Sequence, residues 1–170
     1  EFTLFTSGGA NDERTGIAAI IAHDLEKLGM KINFQAIEFN TLVSKLTSTY
    51  QWEAIVLGLT GGVEPHFGKN VWHSSGQLHM WHPKQESPAT AWEKRIDELF
   101  SQGVQELDED KRKKIYDEYQ LIVSQQLPVI YTVLSANIAA VRNKFGNLKP
   151  SNFGVFHNLE EIYIKEEPRP

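Results

Sequence analysis

Trp52-Glu-Ala-Ile-Val-Leu-Gly-Leu-Thr-Gly-Gly-Val-Glu-Pro-His-Phe67 begins as a nearly continuous apolar run and then turns abruptly to glycine, proline and histidine. Trp52 to Leu59 therefore reads as a strand covered on both faces, in the middle of a parallel sheet, because a strand with one wet face alternates polar and apolar residues. Upstream, Lys31 to Ile37 sets Ile32, Phe34 and Ala36 against polar neighbours, and Phe2 to Thr6 is a short apolar strand closed by Ser7-Gly8-Gly9. Between these strands lie helical patterns. Asp12 or Asn11 caps a helix carrying Ile17, Ile20, Ile21, Leu25 and Leu28 on one face, and Gly29 stops it. Asn40 or Thr41 starts another with Leu42, Val43 and Leu46. Strand–helix–strand–helix–strand predicts an α/β core on a parallel sheet.

Downstream the rhythm breaks. Thr60 to Ala89 has no sustained period, and a loop this long in a compact domain is usually functional. Thr90-Ala91-Trp92-Glu93 is a capping box opening a helix whose apolar stripe is Trp92, Ile96, Leu99, Phe100 and Val104. Asp108 caps the next helix, with Ile115, Tyr119, Ile122 and Val123 inward, and Pro128 ends it. Val129 to Val133, Ile138 to Val141 and Ile162 to Ile164 read as strands, and Glu166 to Pro170 as a frayed tail.

The bulk properties narrow the function classes. The chain has 170 residues, 41% hydrophobic and 23% charged, as in an ordinary soluble domain. Its 17 basic residues against 22 acidic ones give a net charge of −5, which disfavours a nucleic-acid partner. The basic run Lys111-Arg112-Lys113-Lys114 sits among acidic residues and reads as a solvated helix face. Without cysteine there are no disulfides, thiolate metal sites or cysteine nucleophiles. No signal peptide is visible, no apolar run has membrane-spanning length, and the abrupt start within a strand suggests a piece of a longer protein.

Catalytic patterns are weak. His66, His73, His79 and His82 are close in sequence, but their spacing matches no strong ligand pattern, so neither metal nor cofactor is expected. Ser74-Ser75-Gly76 is not a nucleophile elbow, Gly8-Gly9 and Gly61-Gly62 belong to no phosphate-binding motif, and the pairs Glu160/Glu161 and Asp108/Asp110 read as surface charge. The segment after Leu59 is the stronger candidate, because ligands of open α/β sheets bind outside the carboxyl ends of the strands. Thr60, Gly61, Gly62, Val63, Glu64, His66, Phe67, Asn70, Trp72, His73 and Trp81 are the candidate ligand-binding residues. Glycines bring bare backbone to a ligand, the indoles offer flat faces, and Glu64, Asn70 and His73 offer hydrogen bonds. The competing reading has the tryptophans simply packing over the sheet.

Five pieces in order, "EKLGMKINF" (Glu26–Phe34), "YQWEAIVLGLTGG" (Tyr50–Gly62), "VEPHFGKNVW" (Val63–Trp72), "WEKRIDELFSQGVQELDEDKRKKIYDEYQLI" (Trp92–Ile122) and "QQLPVIYTV" (Gln125–Val133), resemble the family 5 extracellular solute-binding proteins, the oligopeptide, dipeptide and nickel receptors of ABC importers. The resemblance implies one lobe of a periplasmic-binding-protein-like type II fold, α/β, with a mixed sheet flanked by helices. It implies that 1–135 form the C-terminal solute-binding lobe and 136–170 a return segment docking on an N-terminal lobe. The implied function is capture of a small solute, an oligopeptide or similar, in a cleft between lobes, without catalysis. Its partners are the solute, the importer permease and the N-terminal lobe, and its location is extracytoplasmic, periplasmic or cell-surface, free or lipid-anchored. Peptide-binding members carry an aspartate in this loop that pairs with the peptide ammonium; aligning on Pro65 puts Gly62 there. An oligosaccharide receptor, with sugar rings on Trp72 and Trp81, is therefore an alternative. More distant alternatives are a sensor domain and a metal-dependent enzyme built on His73, His79 and His82.

Overall fold

The computed structural model describes residues 1–9, 12–59, 61–136, 138–151 and 153–165. The described chain divides into two units, Glu1–Ile130 and Tyr131–Pro170.

In the first unit a three-stranded sheet runs in the order β2-β1-β3, with β1 at Phe2–Ser7, β2 at Ile32–Ile37 and β3 at Ala54–Val56. Both pairings are parallel. Helix α1, Glu13–Lys27, connects β1 to β2; Asp12 caps it by accepting the Arg14 backbone N–H, and Gly29 follows with φ +82°, a conformation that glycine adopts without steric cost. Ala18 and Ala22 bring α1 close to the sheet, where they pack with Leu4 and Ile32 and are flanked by Ile21, Leu25, Phe34, Ala54 and Val56. Ile20 and Leu28, expected on that buried face, are exposed because the alanine side of the helix is the one turned inward. Helix α2, Phe39–Ser44, is capped by Glu38 rather than by Asn40 or Thr41 and runs into a π turn at Lys45–Thr49.

The apolar run that decides the fold lies at the sheet edge, not its centre. Only Ala54–Val56 pair, on one side, with β1, so these residues are half-buried. The central strand is β1, whose Leu4, Phe5, Thr6 and Ser7 are all buried.

The second part of this unit is a helical layer. A 3₁₀ turn at Pro65–Gly68 leads into the single turn α3, Lys69–Trp72. Helices α4, Ala91–Gly103, and α5, Glu109–Gln126, follow, with the capping box at Thr90–Glu93 and the cap at Asp108 both formed. Trp72, Ile96, Phe100, Tyr116 and Val123 make one apolar cluster. Burying each such side chain is worth about 1.5–3 kcal/mol. Tyr116 takes the inward place expected of Ile115, and Val104 is exposed. Arg95 crosses from α4 to clasp Glu118 of α5 with two bonds of 2.6 and 2.8 Å. Both partners are more than a third exposed, so the clasp contributes at most about 1 kcal/mol.

Helix α5 ends at Leu127, which takes the left-handed conformation at φ 47° just before Pro128. Of the strands expected beyond it, 129–133 and 138–141 are not strands among the described residues, because an extended segment becomes a strand only when a partner takes up its backbone bonds. Within the second unit, β4 at Phe145–Gly146 pairs antiparallel with β5 at Tyr163–Ile164, the closing strand read from the sequence. The expected frayed tail, Glu166 to Pro170, lies outside the described residues.

Candidate functional site: the carboxyl edge of the sheet

Parallel strands deliver all their following loops to one edge, here Gly8-Gly9 after β1, Glu38-Phe39 after β2, and 57–59 and 61–67 after β3. Beyond β1 and β2 a cavity of about 410 Å³ is lined by Ser7, Gly8, Arg14, Ala36, Ile37, Glu38 and Phe39. Gly8 is required there, since its φ is +135° and a Cβ would come within 2.6 Å of Asp12. Arg14 Nη1 donates to Ser7 Oγ at 3.3 Å, and Thr6 Oγ1 donates across the sheet to the Val56 carbonyl at 3.0 Å. Gly9, Gly58 and Gly61 are exposed, and a Cβ at any of them would meet nothing within 4 Å. Phe39, Leu59, Val63 and Phe67 are large apolar side chains left exposed on the same loops. Bare backbone beside exposed apolar groups is the surface a ligand site needs.

The sequence-predicted residues divide into those on this edge and those folded inside. Thr60 lies outside the described residues. Gly61, Gly62, Val63 and Phe67 are exposed, Val63 at 72% and Phe67 at 76%. Glu64 is half-buried and caps the 3₁₀ turn by accepting the His66 N–H at 2.9 Å. The same carboxylate receives Arg112 Nη2, and this bond holds its pKa below the usual carboxylate value. Arg112, read from the sequence as part of a solvated run, thus turns inward. His66 Nδ1 lies 3.5 Å from the Tyr116 hydroxyl.

Asn70 serves the chain itself: its Oδ1 accepts the Gln77 N–H at 2.9 Å and its carbonyl the Leu78 N–H at 3.0 Å. Trp72 is 8% exposed inside the helical cluster, so its face is not the open platform the sequence suggested. Trp81 is partly buried against Trp72, His79 and Trp92, and its Nε1 donates to Glu93 at 3.1 Å. Both indoles are packing groups, held there by their apolar area and, for Trp81, by the buried acceptor.

The histidine segment has no catalytic arrangement in these positions. His73 Nδ1 faces both Ser75 Oγ, at 3.0 Å, and Asp97 Oδ1, at 3.6 Å. A nucleophile relay needs base and orienting acid on opposite ring nitrogens. Burial is the main reason His73 is harder to protonate than usual. His79 is buried, with Nδ1 3.0 Å from the Val71 carbonyl and Nε2 3.3 Å from Glu93, whereas His82 is exposed. Among the described residues no three acidic or histidine side chains gather as a metal-holding group.

Glu93 is the group the sequence reading missed. Besides completing the capping box it receives Trp81, Gln85 Nε2 at 3.2 Å, and the Thr90 hydroxyl at 2.8 Å. Burial alone pushes its carboxyl up, but the bonds from Thr90, Gln85, Trp81 and His79 prevail and hold it at about 2. A second depression, about 370 Å³, lies along Lys94, Asp97, Glu98, Ser101, Gln102 and Gln105, with no apolar side chain in its lining.

No protein-family model matches the sequence. A Deinococcus radiodurans protein described as an ABC transporter-binding protein is 33% identical over 142 residues, covering 76% of this chain and 24% of the relative. The oligopeptide-binding protein AppA of Bacillus subtilis is 22% identical over 168 residues, covering 96% of this chain and 29% of the relative. The chain is similar to the family 5 solute-binding proteins of ABC importers.

Solved structures share the solute-binding-protein fold. AppA of Clostridium difficile, described as a peptide-binding protein, matches with a TM-score of 0.76 at 21% identity, over 96% of this chain and 33% of that one. AppA of B. subtilis, solved in complex with a nonapeptide, matches with a TM-score of 0.64 at 19% identity, over 97% of this chain and 32% of that one. This chain thus spans about a quarter to a third of the length of these relatives. They are described as binding proteins, and none of them as an enzyme. Among the described residues no helix is long and apolar enough to cross a membrane.

Proposed function

We propose that the carboxyl edge of this sheet is one wall of the solute cleft of an extracytoplasmic receptor serving an ABC importer, and that the solute is an oligopeptide. The observation that carries the reading is the joint exposure of Gly9, Gly58 and Gly61 beside Phe39, Leu59, Val63 and Phe67. Open main chain gives sequence-independent hydrogen bonds to an extended ligand, and apolar side chains give area without demanding a particular charge. The B. subtilis relative's description as an oligopeptide-binding protein, solved with a nonapeptide, supports the same solute class. Gly61, Gly62, Val63 and Phe67 are the residues proposed to meet the solute, joined by Gly8 and Phe39. In this reading residues 136–170 return to an N-terminal lobe that supplies the opposite wall, and the permease is the downstream partner. The oligosaccharide alternative rested on Trp72 and Trp81, which are engaged in packing.

Calorimetry on the full-length receptor, with oligopeptides and oligosaccharides in parallel, tests the solute class. Gly61→Leu tests the wall. A side chain at Gly61 meets nothing within 4 Å, as is also true of Gly16 on α1. Gly61→Leu is expected to weaken peptide binding about tenfold or more, with little change in melting temperature, while Gly16→Leu leaves binding intact. Binding of oligosaccharides alone, or equal effects of the two substitutions, contradicts the reading.

A further inference from the structure

Glu64 is the only carboxylate between Glu53 and Glu86, so it is the only acidic side chain the segment after β3 has to offer a ligand. It faces inward instead. Glu64 Oε1 accepts both the His66 N–H and Arg112 Nη2. Arg112 also donates through Nε to the Gly103 carbonyl at 3.0 Å, at the end of α4, and its guanidinium lies 5.7 Å from the centre of the Tyr116 ring. The Tyr116 hydroxyl in turn stands 3.5 Å from His66, whose ring lies 6.0 Å from Phe100. One arginine on α5 therefore joins the turn after β3 to the junction of α4 and α5. A two-point arginine contact fixes orientation in a way a single lysine charge does not. Val63 and Phe67, on either side of the braced residues, remain turned to solvent.

We propose that Glu64 and Arg112 are a positioning pair, which presents Val63 and Phe67 to the ligand and leaves the turn after β3 with no unpaired counter-charge for a free ammonium. The inference rests on the cleft reading above. Its physical basis is that a carboxylate paired to a guanidinium is already neutralised, and a desolvated ammonium brought beside that pair would find no net attraction. The turn after β3 then favours uncharged ligand groups, main-chain amides above all.

The test uses the full-length receptor in four forms: wild type, Glu64→Gln, Arg112→Met and the double variant. Amide hydrogen exchange across 61–68 needs no ligand. Each single variant is expected to speed exchange there about tenfold, with the double variant no worse than the singles, because one broken pair cannot be broken twice. Arg112→Lys, which keeps the charge without the two-point contact, is expected to recover part of the protection and stands in if Arg112→Met does not fold. Affinity is then compared for one nonapeptide with a free and with an acetylated amino terminus. The wild-type preference between the two forms is expected to be unchanged by Glu64→Gln. Arg112→Met, which bares the Glu64 carboxylate, is expected to shift the preference toward the free amine about fivefold, and the double variant is not. Unchanged exchange, additive effects, or a wild-type preference for the free amine that Glu64→Gln removes would overturn the proposal. If neither peptide binds, the cleft reading fails, while the exchange results still decide whether the pair positions the loop.

Discussion

Leu99 and Leu134 are the same side chain in two regions with opposite fates: the first is 1% exposed on α4, the second 100% exposed past α5. On Leu99's helix, Ile96 and Phe100 pack with Tyr116 and Val123 of α5, and Glu93 gathers Trp81, Gln85 and Thr90 onto its start. Around Leu134, the neighbours Tyr131, Val133 and Ile138 are also large, apolar and exposed. An apolar pattern states what needs cover, and only the rest of the fold decides whether cover is supplied. The comparison can be broken first at its strongest point. Leu99→Ala is expected to cost about 2–5 kcal/mol in urea unfolding, whereas Leu134→Ala in the same chain should stay within about 0.5 kcal/mol. Equal costs would mean that the exposed segment is covered after all.

The acid limb sharpens the same contrast, with a somewhat smaller effect. The folded Glu93 carboxyl, held at about 2, lies below its ordinary 4.5, so its stabilisation is complete above pH 4.5 and lost as the pH falls from there toward 2. The loss is about 3 kcal/mol at most, taken from the helical region first. Unfolding of wild type and Glu93→Gln, compared at pH 7 and near pH 2.5, should show the gap between them closing in acid. A gap that stays constant would remove Glu93 from its central place in that region.

Much of the fold was legible because its signals were local. Asp12, Asp108 and the Thr90–Glu93 box cap their helices as the residue types alone indicate, and β1 and β2 fall where their periodicity places them. What failed depended on partners elsewhere in the chain. Ala54–Val56 looked central because it is apolar, but its position in the sheet depends on which strand pairs with it, and among the described residues only β1 does. The apolar stretches 129–133 and 138–141 carry strand-like residues without a ladder. Tyr116, which the periodic reading passed over, is buried with its ring edge-on to Phe100, 5.6 Å away, while Ile115 is half-buried.

The site was half legible for a related reason. The strand-end rule pointed to Gly61 to Phe67, which lie on the proposed cleft wall, and applied equally to β1 and β2 it points to Ser7, Gly8, Arg14 and Phe39 as well. Nothing in a charge run marks Arg112 as the one cation of four that turns inward to Glu64, since that depends on how α5 packs. The indoles were misread because flat apolar faces suit a core as well as a ligand.

Hydrogen exchange on the full-length receptor, with and without a nonapeptide, tests the central claim most directly. The account predicts slowed exchange on binding at the amides of Gly8, Gly9, Gly58, Gly61, Gly62 and Val63, the open backbone of the sheet's carboxyl edge. Binding that leaves those amides unchanged and slows exchange along the polar face of α4 instead would contradict it.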